Sequence, residues 1–147
     1  MHVVGASDNR AVVERYSEEA FNNFNLRAVD EFLAANFIRH DPTLPGRRAD
    51  REAVKGLISS ARSGLPDVHH TFEYVAEDGD IVVVRWAGQG THHGEFLSVR
   101  ATGNMVEFSG ISIYRVESGR IAEEWTEWDQ YGLMQQIGAL PRAKRAA

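Results

Sequence analysis

The residues best suited to chemistry crowd into the last quarter of the chain, where Glu123-Glu124-Trp125-Thr126-Glu127-Trp128-Asp129 forms an acidic and aromatic run. If this run is a strand, alternation puts Trp125, Glu127 and Asp129 on one face and Glu124, Thr126 and Trp128 on the other. With the first set turned to a cavity, an aromatic wall stands beside two carboxylates. Desolvation and like-charge repulsion then raise at least one pKa toward the working range of a general acid or base. The spacing accommodates equally well Glu127 and Asp129 in solvent with tryptophans that merely pack.

Histidine is the other candidate. In Gly90-Thr91-His92-His93-Gly94-Glu95-Phe96 the two imidazoles face opposite ways on a regular strand, so at most one enters a pocket, where it can polarise a carbonyl or shuttle a proton near neutrality. A surface pair beside a glycine-bent loop is the plainer alternative, and His40, before Asp41-Pro42, has the same ambiguity. His69 and His70 alternate across a strand and cannot chelate together. Tyr16, Tyr74, Trp86, Tyr114 and Trp125 are candidates to line a pocket for a flat or polycyclic substrate, or else ordinary core. Arg85 is either an outer-face charge or a buried partner for a carboxylate such as Glu127. With no cysteine, no HExxH and no two-Cys two-His spacing, a metal site is not expected. Gly88, Gly90 and Gly94 sit in a strand-like region, so they make no nucleotide loop. Ser59-Ser60 and Ser109 lack the context of a nucleophile elbow.

Positioning these groups requires helices first and a sheet afterwards. Val12 or Val13, Tyr16, Ala20 and Phe24 recur at helical spacing behind Ser7 or Asp8, and Asn25 can cap a second helix with Leu26, Val29, Phe32 and Leu33 on one face. Phe37 to His40 leaves that period, and Pro42 pushes Asp41 toward extended geometry, which marks a loop or strand end. Asp50 can cap a third helix with Val54, Leu57, Ile58 and Ala61 inward, stopped by Gly64 and Pro66. From Asp67 the period changes to two. Four long antiparallel strands are predicted: one carrying Val68, His70, Phe72 and Tyr74, then 81–90, 105–116 and 121–129, with turns at Asp78-Gly79, Gly103-Asn104 and 117–120. A closing helical turn falls at 131–137. The fold class is therefore α+β, a single domain over 1–147 with its core at about 9–140: N-terminal helices packed on a strongly curved antiparallel sheet, a cone-shaped α+β barrel whose open end is an apolar pocket.

The 147 residues are 43% hydrophobic and 25% charged, the composition of one globular domain, which excludes disordered and fibrous classes. The net charge of −5 disfavours a nucleic-acid partner, and the basic tail Arg142 to Arg145 is too short to reverse it. There is no apolar run of membrane-spanning length and no secretory pattern, so a cytoplasmic protein without a membrane partner is expected.

Several short motifs occur in an order that resembles the SnoaL-like polyketide cyclase family of the nuclear-transport-factor-2-like superfamily. They are His40-Asp41-Pro42, Gly90-Thr91-His92 with Gly94-Glu95-Phe96, Tyr114-Arg115 to Gly119-Arg120-Ile121, and Glu124-Trp125 through Asp129 to Gly132-Leu133-Met134-Gln135-Gln136-Ile137-Gly138. The resemblance implies a homodimer of cones, a small-molecule substrate, no cofactor, and acid/base work by a carboxylate at the position of Asp129, with His92 at the position of the motif's histidine. Glu127 is less readily matched to a role in that family and rests on strand geometry. The activity implied is ring closure of a polyketide-derived or related aromatic intermediate in secondary metabolism, of the kind used in antibiotic biosynthesis and of lyase or isomerase type. Substrate contacts are expected from His40, Tyr16, Trp125, Trp86, Tyr74 and Tyr114. Epoxide opening, by water or by an internal hydroxyl, is one alternative, and a non-catalytic ligand-binding cone is another.

Overall fold

The computed structural model describes residues 6–140, with side chains from Asp8 onward. The Ser7 side chain and the basic tail Arg142 to Arg145 therefore lie outside what is described, and Asp8 falls inside the first turn of α1 rather than ahead of it. In chain order the elements are α1 (Ala6–Tyr16), α2 (Arg27–Phe32), β1 (Leu33–His40), β2 (Arg48–Ala49), α3 (Arg51–Gly64), β3 (His69–Asp78), β4 (Ile81–Thr91), β5 (Met105–Glu117), β6 (Arg120–Trp128) and α4 (Gln130–Gln136). Four helices pack on one six-stranded sheet of order β2-β1-β6-β5-β4-β3. This is the α+β architecture that the change of period predicts. No helix among the described residues is long and apolar enough to cross a membrane.

Local chemistry accounts for most element boundaries. The Asp50 side chain accepts the Ala53 N–H at 2.9 Å and starts α3, whose Val54 and Ile58 are buried. Asn25 accepts the Arg27 N–H at 3.1 Å ahead of α2. The β5–β6 hairpin turns through Ser118 and Gly119, both at positive φ, the geometry that matches the right-handed twist of two-residue hairpins. Beyond α1, a wider π-helical turn over Ser17–Asn22 brings Ala20 inward.

Two strands depart from the sequence expectation, β1 and the two-residue β2 that pairs with it in place of the loop expected before Asp50. Leu33 is not the end of a helical face but the first residue of β1, which runs parallel to β6 and extends the meander on that side. A parallel neighbour is recruited by contacts distant in sequence, so local periodicity carries no trace of it. The register places Arg39 beside Glu124 and His40 beside Trp125.

Two bulges set which residues face inward. In β3, Phe72 pairs with Trp86 but Tyr74 pairs with Arg85, so one extra residue shifts the alternation. Val75 then packs on the core while Tyr74 turns out, 76% exposed. Between β5 and β6, Arg115 pairs with Glu123 and Val116 with Ile121, leaving Ala122 as the extra residue. Ile121 and Ala122 are both buried, and from there the inward set becomes Glu124, Thr126 and Trp128. The core joins Val13, Tyr16, Val29 and Phe37 to Val82, Val84, Tyr114 and Ile121. A second cluster of Leu65, Val68, Val106, Leu133 and Ile137 holds α4 against the sheet.

Candidate active site

Between the helices and the inner sheet face lies a cavity of about 710 Å³, within the size range of small-molecule sites. Its walls come from β1, β3, β4, β5 and β6, from Phe21 in the turn after α1, from Leu57 and Ala61 of α3, from Leu133 of α4, and from Phe96 and Leu97 in the loop after β4. Inward positions on the central strands alternate bulky and small side chains. A Cβ at Gly110 would stand 2.6 Å from the Trp86 ring and one at Gly88 would stand 2.6 Å from the Phe108 ring, so these glycines leave the aromatic rings their space.

The polar end is built around Arg39, next to last in β1. Its Nε and Nη2 donate to Asp41 Oδ2 at 3.2 and 2.9 Å, and its Nη1 lies 3.5 Å from Glu124 Oε2. Asp41 is itself anchored, since its Oδ1 accepts the Thr43 N–H at 2.9 Å and the Thr43 hydroxyl at 2.7 Å. All three line the cavity, and Asp41 and Glu124 are each 2% exposed. Burial raises the Glu124 pKa above the ordinary carboxylate value; Arg39 opposes this and Asp41 reinforces it. Burial pushes Arg39 down, but Glu124 and then Asp41 outweigh it and hold the guanidinium charged, its pKa above the usual value. Glu124 Oε1 is buried without a hydrogen-bond partner, and so is the Tyr16 hydroxyl. Burial first and the Glu124 charge second push both the Tyr16 and Tyr114 phenols up, so both stay protonated.

Midway along the wall, Trp86 Nε1–H donates to Ser112 Oγ at 3.0 Å, and Ser112 shares a 2.7 Å hydrogen bond with Thr126. The far end is aromatic: the His70 ring meets Phe21, Trp86 and Phe108 edge-on at centroid distances of 5.8, 5.7 and 5.7 Å, and Phe108 meets Trp128 at 5.9 Å. Burial, with smaller contributions from His69 and Arg39, pushes the His70 pKa down to about 4. The imidazole is therefore neutral near pH 7.

Of the residues expected at the site, Trp86 and Tyr114 line the cavity. Trp125, Glu127 and Asp129 do not, because the extra residue at Ala122 reverses the face that strict alternation from Ile121 assigns them. All three are exposed. Asp129 ends the strand and caps α4, accepting the Gly132 N–H at 2.8 Å. His40 stacks on Trp125 at 5.4 Å and bonds Glu123 at 2.6 Å, so it faces away from the cavity that Arg39 lines. His40, Trp125 and Glu127 instead border a separate groove of about 350 Å³ with Arg47 and Arg48. Tyr74 is turned out by the β3 bulge, and Arg85 lies 3.8 Å from Glu73 rather than near Glu127.

His92 is fully buried but does not line the cavity; its Nδ1 bonds the Thr102 hydroxyl at 2.9 Å and so pins the loop after β4. Tyr16 belongs to the core next to Glu124 rather than to the cavity wall. Sequence reasoning did not single out Arg39, Asp41, Glu124, Ser112, Thr126, His70, Phe108 and Trp128, all of which line the cavity. The signal for three of them was the opposite alternation set of the last strand. Among the described residues no group of three or more His, Asp or Glu is arranged to hold a metal ion.

Fold and cavity together define a class. Residues 11–137 match the SnoaL-like polyketide cyclase model, and the chain belongs to that family. A curated relative is the aklanonic acid methyl ester cyclase DauD of Streptomyces sp. strain C5, 26% identical over 132 residues, which cover 88% of this chain and 78% of DauD. Among solved structures, IdmH from Streptomyces antibioticus is 32% identical with a TM-score of 0.76, covering 92% of this chain and 99% of that one. TsrD from Streptomyces laurentii is 25% identical with a TM-score of 0.81, covering 94% and 100%.

Proposed function

We propose that this protein closes a ring in a polyketide-derived or related aromatic intermediate, with Glu124 as the acid/base. The observation that carries the reading is a cavity of polycyclic size whose wall includes a buried carboxylate with a raised pKa and one unpartnered oxygen. The similarity to DauD, an aklanonic acid methyl ester cyclase, supports the reaction class. In the step proposed, Glu124 takes a proton from a carbon made acidic by flanking carbonyls, and the resulting enolate carbon attacks an internal carbonyl carbon. A carbon–carbon bond forms, the carbonyl π pair moves onto oxygen, and the proton on Glu124 returns to that oxygen. Arg39 supplies fixed positive charge beside the developing enolate, and the Ser112–Thr126 hydroxyls serve the substrate oxygens. Asp41 acts on Arg39 and not on substrate.

The epoxide-opening alternative drew on the closeness of Glu127 and Asp129, which both lie outside the cavity, so it has lost its motivating pair. Simple ligand storage leaves the buried, unpartnered Glu124 oxygen without a purpose.

The test uses a β-keto ester tethered to a ketone on an aromatic ring, incubated in D2O with wild type, Glu124→Gln and Asp129→Asn. Cyclisation and deuterium uptake at the activated carbon are expected in wild type and Asp129→Asn and absent in Glu124→Gln. Full turnover by Glu124→Gln would remove that residue from the mechanism, and tight binding without exchange in wild type would favour storage.

A further inference from the structure

At the aromatic end of the cavity one polar group is fixed in place for no internal reason. Both backbone groups of His70 are tied to the Asn22 side chain: the His70 N–H donates to Asn22 Oδ1 at 2.7 Å, and Asn22 Nδ2 donates to the His70 carbonyl at 3.1 Å. Three rings clamp the imidazole edge-on, those of Phe21, Trp86 and Phe108. A Cβ at Gly88 would come within 3.2 Å of its Cδ2, so the glycine opposite leaves room for it. Yet His70 Nδ1 is buried with no hydrogen-bond partner, and across Phe108 the Trp128 Nε1–H is in the same condition. A buried polar group without a partner weakens the fold, so a rigidly held one lining a cavity is best explained by a partner that arrives with the ligand.

We propose that His70 anchors the substrate through a phenolic hydroxyl on its aromatic portion, and so fixes which carbon is presented to Glu124 at the other end. A hydroxyl suits this position better than a carbonyl. It gives and accepts a hydrogen bond, so it satisfies a neutral imidazole in either tautomer, whereas a carbonyl satisfies one. The three surrounding rings supply the flat apolar contact that the ring bearing the hydroxyl requires. The proposal rests on the reading of the cavity as a site for aromatic substrates and deepens it to hydroxylated ones.

The experiment compares 1-hydroxypyrene with pyrene by quenching of tryptophan fluorescence. Neither ligand has an enolisable ketone, so the readout is independent of turnover. Wild type is expected to bind 1-hydroxypyrene about five- to tenfold more tightly, the worth of one hydrogen bond. His70→Phe should bring the ratio to near one by weakening the hydroxylated ligand alone, and His70→Asn should restore part of it. An unchanged ratio in His70→Phe, or a ratio near one in wild type, would overturn the proposal. If His70→Phe does not fold, the imidazole ¹⁵N shifts of His70 in wild type decide: they move with 1-hydroxypyrene and not with pyrene, and equal response to both is the contrary result. A protein that keeps the ratio but fails to cyclise loses the reaction assigned above and retains this anchor. Failure to bind either ligand sinks the aromatic-substrate reading and this proposal with it.

Discussion

Glu124 stands directly opposite Tyr114 across the β5–β6 ladder, and it shares Tyr114's inward face because Ala122 adds one residue to β6 without a counterpart on β5. That single offset decides which carboxylate of the last strand meets the cavity. Asp129, five residues on, lies just past the strand as the cap of α4.

The two carboxylates should therefore separate cleanly in mutants. Glu124→Gln removes the proposed base and is expected to lower the cyclisation rate by about 10²- to 10⁴-fold. Asp129→Ala removes the bond to the Gly132 N–H and should cost about 1 kcal/mol of stability with turnover kept. Initial rates and urea midpoints on the same preparations check both halves.

Acid should weaken the fold partly through His70. Its pKa is 6.5 when exposed and about 4 in place. Between those values the unfolded chain binds a proton that the folded one refuses, so stability falls as pH drops from about 6.5 to 4 and is unaffected by this group above that window. The full loss from this one residue is about 3 kcal/mol. His70→Phe should flatten that part of the curve of unfolding free energy against pH; an identical slope in the variant would contradict the burial argument.

Arg39 is the counter-charge for two buried carboxylates, at 2.9 Å from Asp41 and 3.5 Å from Glu124. Arg39→Met should cost about 3–5 kcal/mol at pH 7, because it strands those charges in the interior. The deficit should shrink toward pH 5 as Glu124, whose pKa burial already raises, takes up a proton. Paired urea titrations at the two pH values measure it.

Space under the aromatic rings is also testable. In Gly110→Ala the new methyl would meet the Trp86 ring at 2.6 Å and the Glu127 carbonyl oxygen at 2.7 Å, and the second of these is backbone that cannot swing away. A loss of about 1–3 kcal/mol is expected, with an altered Trp86 emission spectrum.

The outward groove shows how far sequence reading reached. His40 and Trp125 do lie together, stacked at 5.4 Å, but on the side of the sheet away from the cavity. The grouping of Trp125, Glu127 and Asp129 on one face and Glu124, Thr126 and Trp128 on the other was legible from alternation. Which group faces inward was not, since alternation carries no absolute phase. Tyr74 fails for the same reason, its side decided by the extra residue at Glu73.

By itself the sequence determined the helices, the capping of α3 by Asp50, the change to period two at Asp67 and the hairpin turns, because propensity, capping and turn chemistry act over a few residues. Tertiary structure alone decided the inward face of β6, the parallel docking of β1 and hence the meeting of Arg39 with Glu124. Bulges and strand partners are selected by the summed packing of residues far apart in the chain. No short stretch of sequence contains that sum.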